Sequence, residues 1–423
     1  MKNIILIFLI VSLISSVSCR EESTEADDDT FKAAYESSDE HASAVSSGMV
    51  SANNNFAGRI FRSMSAGEPG KNIMISPLSI SIALSMILNG ASGENLVEMK
   101  DVLGFETMEL AVINRQFSDL IASLESADKD MLLSIADSIW IRLSFEPRVY
   151  RSFLNVLQDY FDAESHALDF SDPASVDTIN SWVSENTMGK IDKIIDKIPE
   201  ETVMYLINAI YFKGTWTTTF DSELTYDGTF ILKNGDTKSV RLMTFKNDQE
   251  FKFFSSEYGV ENGYSAVRLP YGRDKVAFYG FIPSSGTLDD FIDNMVDSGL
   301  DNFFSNLTAM EIPVILPKFK FEYEKELNDI LKSLGMTKAF AAGGLLNLAQ
   351  DGENLVISKA KHKTFIEVNE AGTEAAAVTS IEVGETCAPD GFFAIKPFLF
   401  VIRDDRSGTI LFIGKVEDPS LTN

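Results

Sequence analysis

Residues 370–380 read EAGTEAAAVTS, and this stretch decides how the rest of the sequence is interpreted. In a strand, alternate side chains lie on the same face. One face of this strand carries Thr373, Ala375, Ala377 and Thr379. These residues are all small, as a buried face requires, and Glu374 falls on the other face. Gly372 stands at the start, where a flexible pivot is expected. The following GETCAPDG resembles an exposed loop, so the pattern predicts a segment that is exposed in one state and inserted into a sheet in another.

Outside this stretch, helical and strand patterns occupy different parts of the chain. Helical spacing dominates the first part, and strand-like runs dominate the later part. The apolar run from Val203 to Phe212 predicts a strand buried on both faces. Residues 397–402 and 409–414, with the turn sequence DDRSG at 404–408 between them, predict a buried hairpin. Since strands and helices do not alternate regularly, the sequence predicts a single α+β domain.

The formal charge of the chain is −27, from 63 acidic and 36 basic residues. A partner that is a polyanion is recognised by clustered Lys and Arg, because counterion release needs them. The densest basic run, residues 359–363 (KAKHK), is interpreted as one solvated face of a strand. The composition therefore argues against nucleic acid, heparin-like polyanions and anionic membrane surfaces as partners.

The N-terminal residues indicate export. Residues 1–18 combine a basic start, an apolar run and a small-residue end, as a signal peptide does. Two endings fit. Val17-Ser18-Cys19 resembles a bacterial lipobox, although Ser16 replaces its usual Leu, and plain cleavage near Ser18 or Cys19 is the alternative. Residues 19–48 are acidic and predict a flexible leader. We expect a secreted protein, or one anchored to a bacterial surface through a lipidated Cys19.

Several motifs together resemble the serpin family of serine protease inhibitors. NEAGTEAAA at 369–377 resembles the serpin hinge. Further matches, in the family's order, are SPLSIS at 76–81, INSWVSENTMGKI at 179–191, INAIYFKGTW at 207–216, LPKF at 316–319, ISKAKHKTFIEV at 357–368, KPFLFVI at 396–402 and LFIGKV at 411–416. The resemblance covers residues 49–419. It implies a fold of about nine helices and three sheets, with an exposed reactive-centre loop at about 370–392.

The resemblance implies inhibition by a suicide mechanism. A protease attacks the loop and forms an acyl-enzyme, and the cut loop then enters the main sheet, a known case of strand addition. The new ladder supplies on the order of ten kcal/mol at about 0.5–1.5 kcal/mol per hydrogen bond. The implied hinge residues are Glu370, Gly372, Thr373, Glu374, Ala375, Ala376 and Ala377. The small size of Thr373, Ala375, Ala377 and Thr379 favours an inhibitor over a non-inhibitory binding or chaperone protein of the same family.

The family's spacing places the scissile bond at Thr386–Cys387. Thr386 lies fourteen residues after Gly372 and eleven before Pro397, so the two counts agree. A threonine there suits the shallow, uncharged primary pocket of elastase-like or subtilisin-like proteases. A shift of one residue would place Glu385 at the site and favour a glutamate-specific protease. Inhibition of a papain-like cysteine protease is a further alternative.

The resemblance also assigns two supporting clusters. Ser76, Ser79, Asn208 and His362 match the shutter, a buried polar group beneath the opening sheet. Trp216, Lys318 and Glu370 match the breach, where the loop first enters, and Lys318 and Glu370 are expected to form an ion pair. For Trp216, core packing is a sufficient explanation.

The sequence predicts an inhibitor and not an enzyme. With three histidines and two cysteines, it offers no recognisable metal site and no cysteine–histidine catalytic pair. No cofactor is expected. The expected partner is the target protease, held in a covalent acyl complex by a monomeric inhibitor.

Overall fold

The computed structural model describes residues 37–125, 128, 131–245, 250–255, 263–373 and 391–421. None of the helices in these ranges has both the length and the apolar character needed to cross a membrane. Within the same residues, no three His, Cys, Asp or Glu side chains are grouped so that they could hold a metal ion.

Ten α-helices lie in the described part of the chain, one more than expected. They are α1 (37–44), α2 (Ser47–Gly67), α3 (Pro77–Leu88), α4 (Gly93–Leu103), α5 (Leu110–Glu125), α6 (Arg151–Phe161), α7 (Ala174–Asn186), α8 (Leu288–Ser298), α9 (Asp301–Ser305) and α10 (Asn328–Ser333). Short 3-10 turns occupy Glu146–Arg148, Ser222–Leu224, Lys338–Phe340 and Gly352–Asn354.

Local sequence signals set several helix ends. The Ser76 hydroxyl accepts a hydrogen bond from the backbone N–H of Ser79, and Pro77 occupies the first turn of α3. Gly104 ends α4 with φ of 77°, a left-handed conformation that glycine adopts without strain. At the start of α8, Thr287 and Asp290 exchange the two hydrogen bonds of a capping box.

The described strands form three sheets. They are β1 (Ile73–Ile75), β2 (Met131–Arg142), β3 (Glu164–Leu168), β4 (Met204–Thr215), β5 (Tyr226–Ile231), β6 (Thr237–Thr244), β7 (Glu250–Ser255), β8 (Tyr264–Tyr271), β9 (Val276–Pro283), β10 (Thr308–Glu311), β11 (Val314–Pro317), β12 (Phe319–Glu326), β13 (Lys361–Val368), β14 (Gly372–Thr373), β15 (Phe392–Phe393), β16 (Phe398–Asp404) and β17 (Ile410–Val416). The predicted α+β class is confirmed.

The six-stranded sheet has the order β12-β13-β14-β4-β2-β3 and carries the candidate site. The seven-stranded sheet has the order β1-β17-β16-β9-β8-β7-β10, and the four-stranded sheet has the order β15-β11-β6-β5. Every residue of β9 and β17 is buried, as expected for central strands covered on both faces. The predicted C-terminal hairpin is β16 and β17, which pair antiparallel.

Two apolar clusters stabilise this arrangement. The larger cluster joins the inner faces of the six- and seven-stranded sheets to α2 and α3. A smaller cluster lies between α7 and the six-stranded sheet and contains Trp140, Phe170, Ile179, Trp182, Val183, Ile191 and Ile207. The six-stranded sheet therefore has apolar packing along its inner face, and on its outer face this packing lies over β2 and β4.

The flexible leader predicted up to residue 48 is wrong for residues 37–48, which form α1 and the first residues of α2. Ser38 and Ala42 of α1 are buried. The Asp39 carboxylate lies 2.6 Å from Lys275 Nζ and 3.5 Å from Arg406 Nη1. The expectation rested on acidic composition, which does not reveal that two distant cations face this segment. Residues 19–36 lie outside the described residues.

We expect Asp39→Ala to loosen α1 selectively. Removing the carboxylate leaves Lys275 and Arg406 without this contact, which is worth up to about 1 kcal/mol for a partly exposed pair. Amide hydrogen exchange of residues 37–46 should become roughly twofold to fivefold faster. Glu40→Ala, at the exposed neighbouring position, is the control. Equal exchange rates in both variants would contradict an anchoring role for Asp39.

Candidate functional site

A tight turn connects β13 to the short strand β14. The backbone N–H of Asn369 donates to the Gly372 carbonyl at 2.9 Å, and the Gly372 N–H donates back at 3.2 Å. The Asn369 side chain also accepts the N–H of Ala371. This turn reverses the chain, so Thr373 pairs with Val368 of β13 on one side and with Gly214 of β4 on the other.

Thr373 therefore separates β13 from β4. Among the described residues, β13 and β4 share no ladder with each other, and β14 is the strand between them. Both neighbours run antiparallel to β14. A strand continuing beyond Thr373 in the same direction would have a hydrogen-bonding edge available on each side.

Gly372 is required by the closeness of β4. A Cβ atom at this position would collide with the backbone carbonyl oxygen of Gly214 and crowd the Cα atom of Thr215. The glycine pivot expected from the sequence therefore has a steric reason at this point, because only glycine allows the hinge backbone to lie this close to β4.

Trp216 holds the turn through two hydrogen bonds. Its backbone N–H donates to the Ala371 carbonyl at 3.0 Å, and its indole N–H donates to the Asn369 carbonyl at 2.9 Å. Packing alone, which the sequence analysis gave as a sufficient explanation for Trp216, leaves these bonds unexplained. The buried indole fixes the position of the hinge backbone.

Lys318 and Glu370 form an ion pair, with Nζ and Oε2 2.7 Å apart. The Thr225 hydroxyl donates to the other Glu370 oxygen at 2.8 Å. Burial by itself raises the pKa of Glu370, but the hydrogen bonds from Lys318, the backbone and Thr225, with the charge of Lys318, outweigh it and lower the pKa. Glu370 is therefore ionised at neutral pH and ties the turn to the segment between β11 and β12.

Tyr271 is a site residue that the sequence analysis missed. Its hydroxyl oxygen lies 2.8 Å from the Thr373 hydroxyl oxygen, and both side chains are buried. The tyrosine ring also stacks on Trp216, with ring centres 4.4 Å apart. No sequence signal marks this contact, because the two hydroxyls come from residues 102 positions apart.

The four shutter residues form two hydrogen-bonded groups at the start of α3, which are joined by the bond from the Ser79 backbone N–H to the Ser76 hydroxyl. In the first, the Ser76 backbone N–H donates to His362 Nε2 at 3.0 Å, and the Ser76 hydroxyl donates to the Leu411 carbonyl at 2.8 Å. In the second, the Ser79 hydroxyl donates to the Asn208 side-chain oxygen. His362 belongs to β13 and Asn208 to β4. Each of the two strands beside the boundary therefore bonds to a different serine of the α3 N-terminus.

Asp137 extends the second group and was not predicted. The Asn208 side-chain N–H donates to Asp137 Oδ1 at 2.9 Å, and the two residues are directly opposite in the β2–β4 ladder. An acidic residue inside the apolar strand MLLSIADSIWIR is the sequence signal that could have identified it.

The basic run at residues 359–363 is not a solvated face throughout. The side chains of Lys361 and Lys363 are only 19% and 14% exposed. Lys361 Nζ lies 2.8 Å from Glu324, and Lys363 Nζ lies 3.0 Å from Glu322, both on β12. The same two amines donate to backbone carbonyls of residues 194 and 193. These ion pairs, with Lys359–Glu326 and Lys320–Glu367, join β12 and β13 into one unit.

Several predicted site residues lie outside the described residues. They are Glu374, Ala375, Ala376 and Ala377 of the hinge, Thr386 and Cys387 of the reactive bond, and Cys19. The structure brings together the other predicted residues in two places. Glu370, Gly372, Thr373, Trp216 and Lys318 meet at one end of the β13–β4 boundary, and Ser76, Ser79, Asn208 and His362 lie beneath it.

The chain is similar to known proteins in sequence and in fold. A family model described as Serpin (serine protease inhibitor) matches residues 51–419. The leukocyte elastase inhibitor of Sus scrofa is 34% identical over 387 residues, which cover 88% of this chain and 99% of that protein. The native-state structure of a thermophilic serpin, tengpin, has a TM-score of 0.76 at 31% identity, covering 88% of this chain and 95% of that one. Thyroxine-binding globulin in complex with thyroxine has a TM-score of 0.79 at 27% identity, covering 88% and 100%.

The environment of His362 predicts a loss of stability in mild acid. Burial lowers the pKa of His362 to about 4, and its Nε2 accepts a hydrogen bond only while it is neutral. The unfolded chain binds this proton near pH 6.5, so folding becomes less favourable as the pH falls towards about 4. Between about pH 7 and pH 5 the loss should be about 2 kcal/mol.

The measurement is the free energy of unfolding from urea titrations of the wild type and of His362→Gln. Glutamine removes the titrating group, so the variant should lose much less stability over this interval. Above about pH 4.5 the contribution of Glu370, whose pKa is lowered, is still present and does not interfere. Identical pH dependence in the two proteins would contradict the assignment to His362.

Proposed function

Because the chain belongs to the serpin family, we propose that it is a suicide inhibitor of a serine-type endopeptidase. The observation that carries this proposal is the position of Thr373, which is buried and paired with strands on both sides. Thr373 thus lies in line with the boundary between β13 and β4. An inhibitor of this type needs such a place for the rest of its cut loop.

Hinge chemistry separates an inhibitor from a binding protein of the same fold. Thyroxine-binding globulin has the same fold and is named for a small ligand, so the fold alone leaves the function open. Here Thr373 is 4% exposed and lies beside Tyr271, where a long or charged side chain could not be accommodated without burying its charge. The small residues after Thr373 in the sequence support insertion for the same reason.

The proposed reactive bond is Thr386–Cys387, and the proposed target is an elastase-like or subtilisin-like protease. The family spacing supports the position, and the uncharged threonine supports the target class. Similarity to a leukocyte elastase inhibitor is consistent with that class. The inhibitor acts as a monomer, is consumed in a covalent acyl complex and does not turn over as an enzyme.

The N-terminal residues extend the proposal to location. The signal pattern of residues 1–18 supports export, with either release to the exterior or a lipid anchor at Cys19. Mass spectrometry of the mature N-terminus distinguishes these outcomes, because lipidation retains Cys19 as an acylated first residue.

A covalent trapping assay tests the function directly. The mature protein is incubated with an elastase-like serine protease, and the products are separated on a denaturing gel. We expect a band that combines both proteins and resists denaturation, together with a released peptide that begins at Cys387. Clean cleavage without this band would mean that the protease cleaves the loop as an ordinary substrate and is not trapped. The same result with subtilisin-like, glutamate-specific and cysteine proteases would favour a non-inhibitory serpin.

Thr373→Arg should convert the inhibitor into a substrate. Keeping residue 373 in the sheet would bury the guanidinium against Tyr271 and between two paired strands, which costs several kcal/mol unless a partner is present. We expect the loop to be cleaved at the normal rate while the covalent band falls at least tenfold. Thr237→Arg, at an exposed threonine of β6, is the matched control. Trapping by Thr373→Arg that equals the control would refute the insertion argument.

A further inference from the structure

The Tyr271 hydroxyl is buried at the point where the loop enters the sheet. Tyr271 ends β8 and is 1% exposed. Its ring lies nearly parallel to Trp216, at an angle of 11°, and edge-on to Phe212 at 5.0 Å. Burial raises the pKa of Tyr271, so the hydroxyl is neutral and can both donate and accept a hydrogen bond.

Thr373 supplies the partner of this hydroxyl. The two oxygens are 2.8 Å apart, and Thr373 is itself 4% exposed. A buried hydroxyl that loses its partner has neither that hydrogen bond nor one to water, which typically costs about 1–3 kcal/mol of stability. Movement of Thr373 out of the sheet would remove the partner from both hydroxyls, so the pair favours the state in which Thr373 lies between β13 and β4.

We propose that Tyr271 is a positioning residue for loop insertion, and that its hydroxyl holds Thr373 in the sheet before the loop is cut. The requirement at position 373 is then more specific than small size. A hydroxyl is needed there, because alanine or valine would leave the Tyr271 hydroxyl without this partner. The hydrogen bond between the Tyr271 and Thr373 hydroxyls is called the latch below. Its role in inhibition rests on the proposed function, whereas the hydrogen bond itself is present in the uncut chain.

Holding Thr373 gives insertion a starting point. The turn at residues 369–372 is already closed, with its backbone hydrogen bonds formed and Trp216 bonded to two of its carbonyls. The conformational entropy of ordering these residues, about 1–2 kcal/mol each, has therefore already been lost. After cleavage, each further residue adds to an existing pair instead of starting a new one, so insertion competes better with hydrolysis of the acyl-enzyme.

The latch is tested by amide hydrogen exchange in Tyr271→Phe, Thr373→Val and the double variant. Phenylalanine keeps the ring that stacks on Trp216, and valine keeps the shape of threonine. Each single variant should exchange roughly fivefold faster over residues 369–373, and the double variant should be no faster than the singles. Thr373→Ser retains a hydroxyl and should exchange at the wild-type rate.

Tyr279→Phe is the matched control for removing a tyrosine hydroxyl. Tyr279 is buried in the same sheet, on β9, and its hydroxyl donates to Asp405 at 2.7 Å. It should leave exchange over residues 369–373 unchanged. Wild-type exchange in Tyr271→Phe, or effects that multiply in the double variant, would overturn the latch.

A second readout connects the latch to inhibition. The number of inhibitor molecules consumed for each protease trapped should rise about twofold to fivefold in Tyr271→Phe and stay at the wild-type value in Tyr279→Phe. An unchanged or lower number would overturn the role in insertion. If the wild type traps no protease in the panel, the proposed function fails, while the exchange experiment still decides the latch.

Discussion

The backbone pairing of Thr373 on both of its sides is the contact on which the arrangement of the site depends. One residue forms ladder contacts with Val368 of β13 and Gly214 of β4, and the turn that delivers it closes over four residues. Gly372, Trp216, Tyr271 and the Lys318–Glu370 ion pair each act on this turn or on Thr373. These surrounding groups therefore share one structural role, which is to hold the first residues of β14 in place between β13 and β4.

The shutter has a layout that lets β13 and β4 separate without an exposed polar group. His362 of β13 bonds to Ser76, while Asn208 of β4 bonds to Ser79 and to Asp137 of β2. Both strands thus bond to the N-terminus of α3, and none of these three hydrogen bonds connects His362 to Asn208. Since a buried polar group is costly only when it loses its partner, both groups can stay satisfied whether or not a strand lies between them.

Local patterns predicted much of the fold, because they depend on residues close in sequence. The C-terminal hairpin of β16 and β17 is of this kind. Family resemblance predicted which residues surround the hinge. Neither source could predict the Tyr271–Thr373 contact or the docking of Asp39 on Lys275 and Arg406, because these depend on side chains brought together only by the complete fold. For residues 37–46 the acidic composition predicted a flexible leader, whereas the structure shows a helix packed on the domain.

The ion-pair ladder between β12 and β13 also has a mechanical consequence. Eight residue pairs, from Phe319–Val368 to Glu326–Lys361, join the two strands in a single register. A force applied along the strand axis loads these pairs simultaneously, in shear, whereas a force across the axis would open them one after another. The paired strands β12 and β13 are therefore expected to resist a force along the strand axis together, and the ion pairs between their lysines and glutamates oppose sliding of one strand along the other.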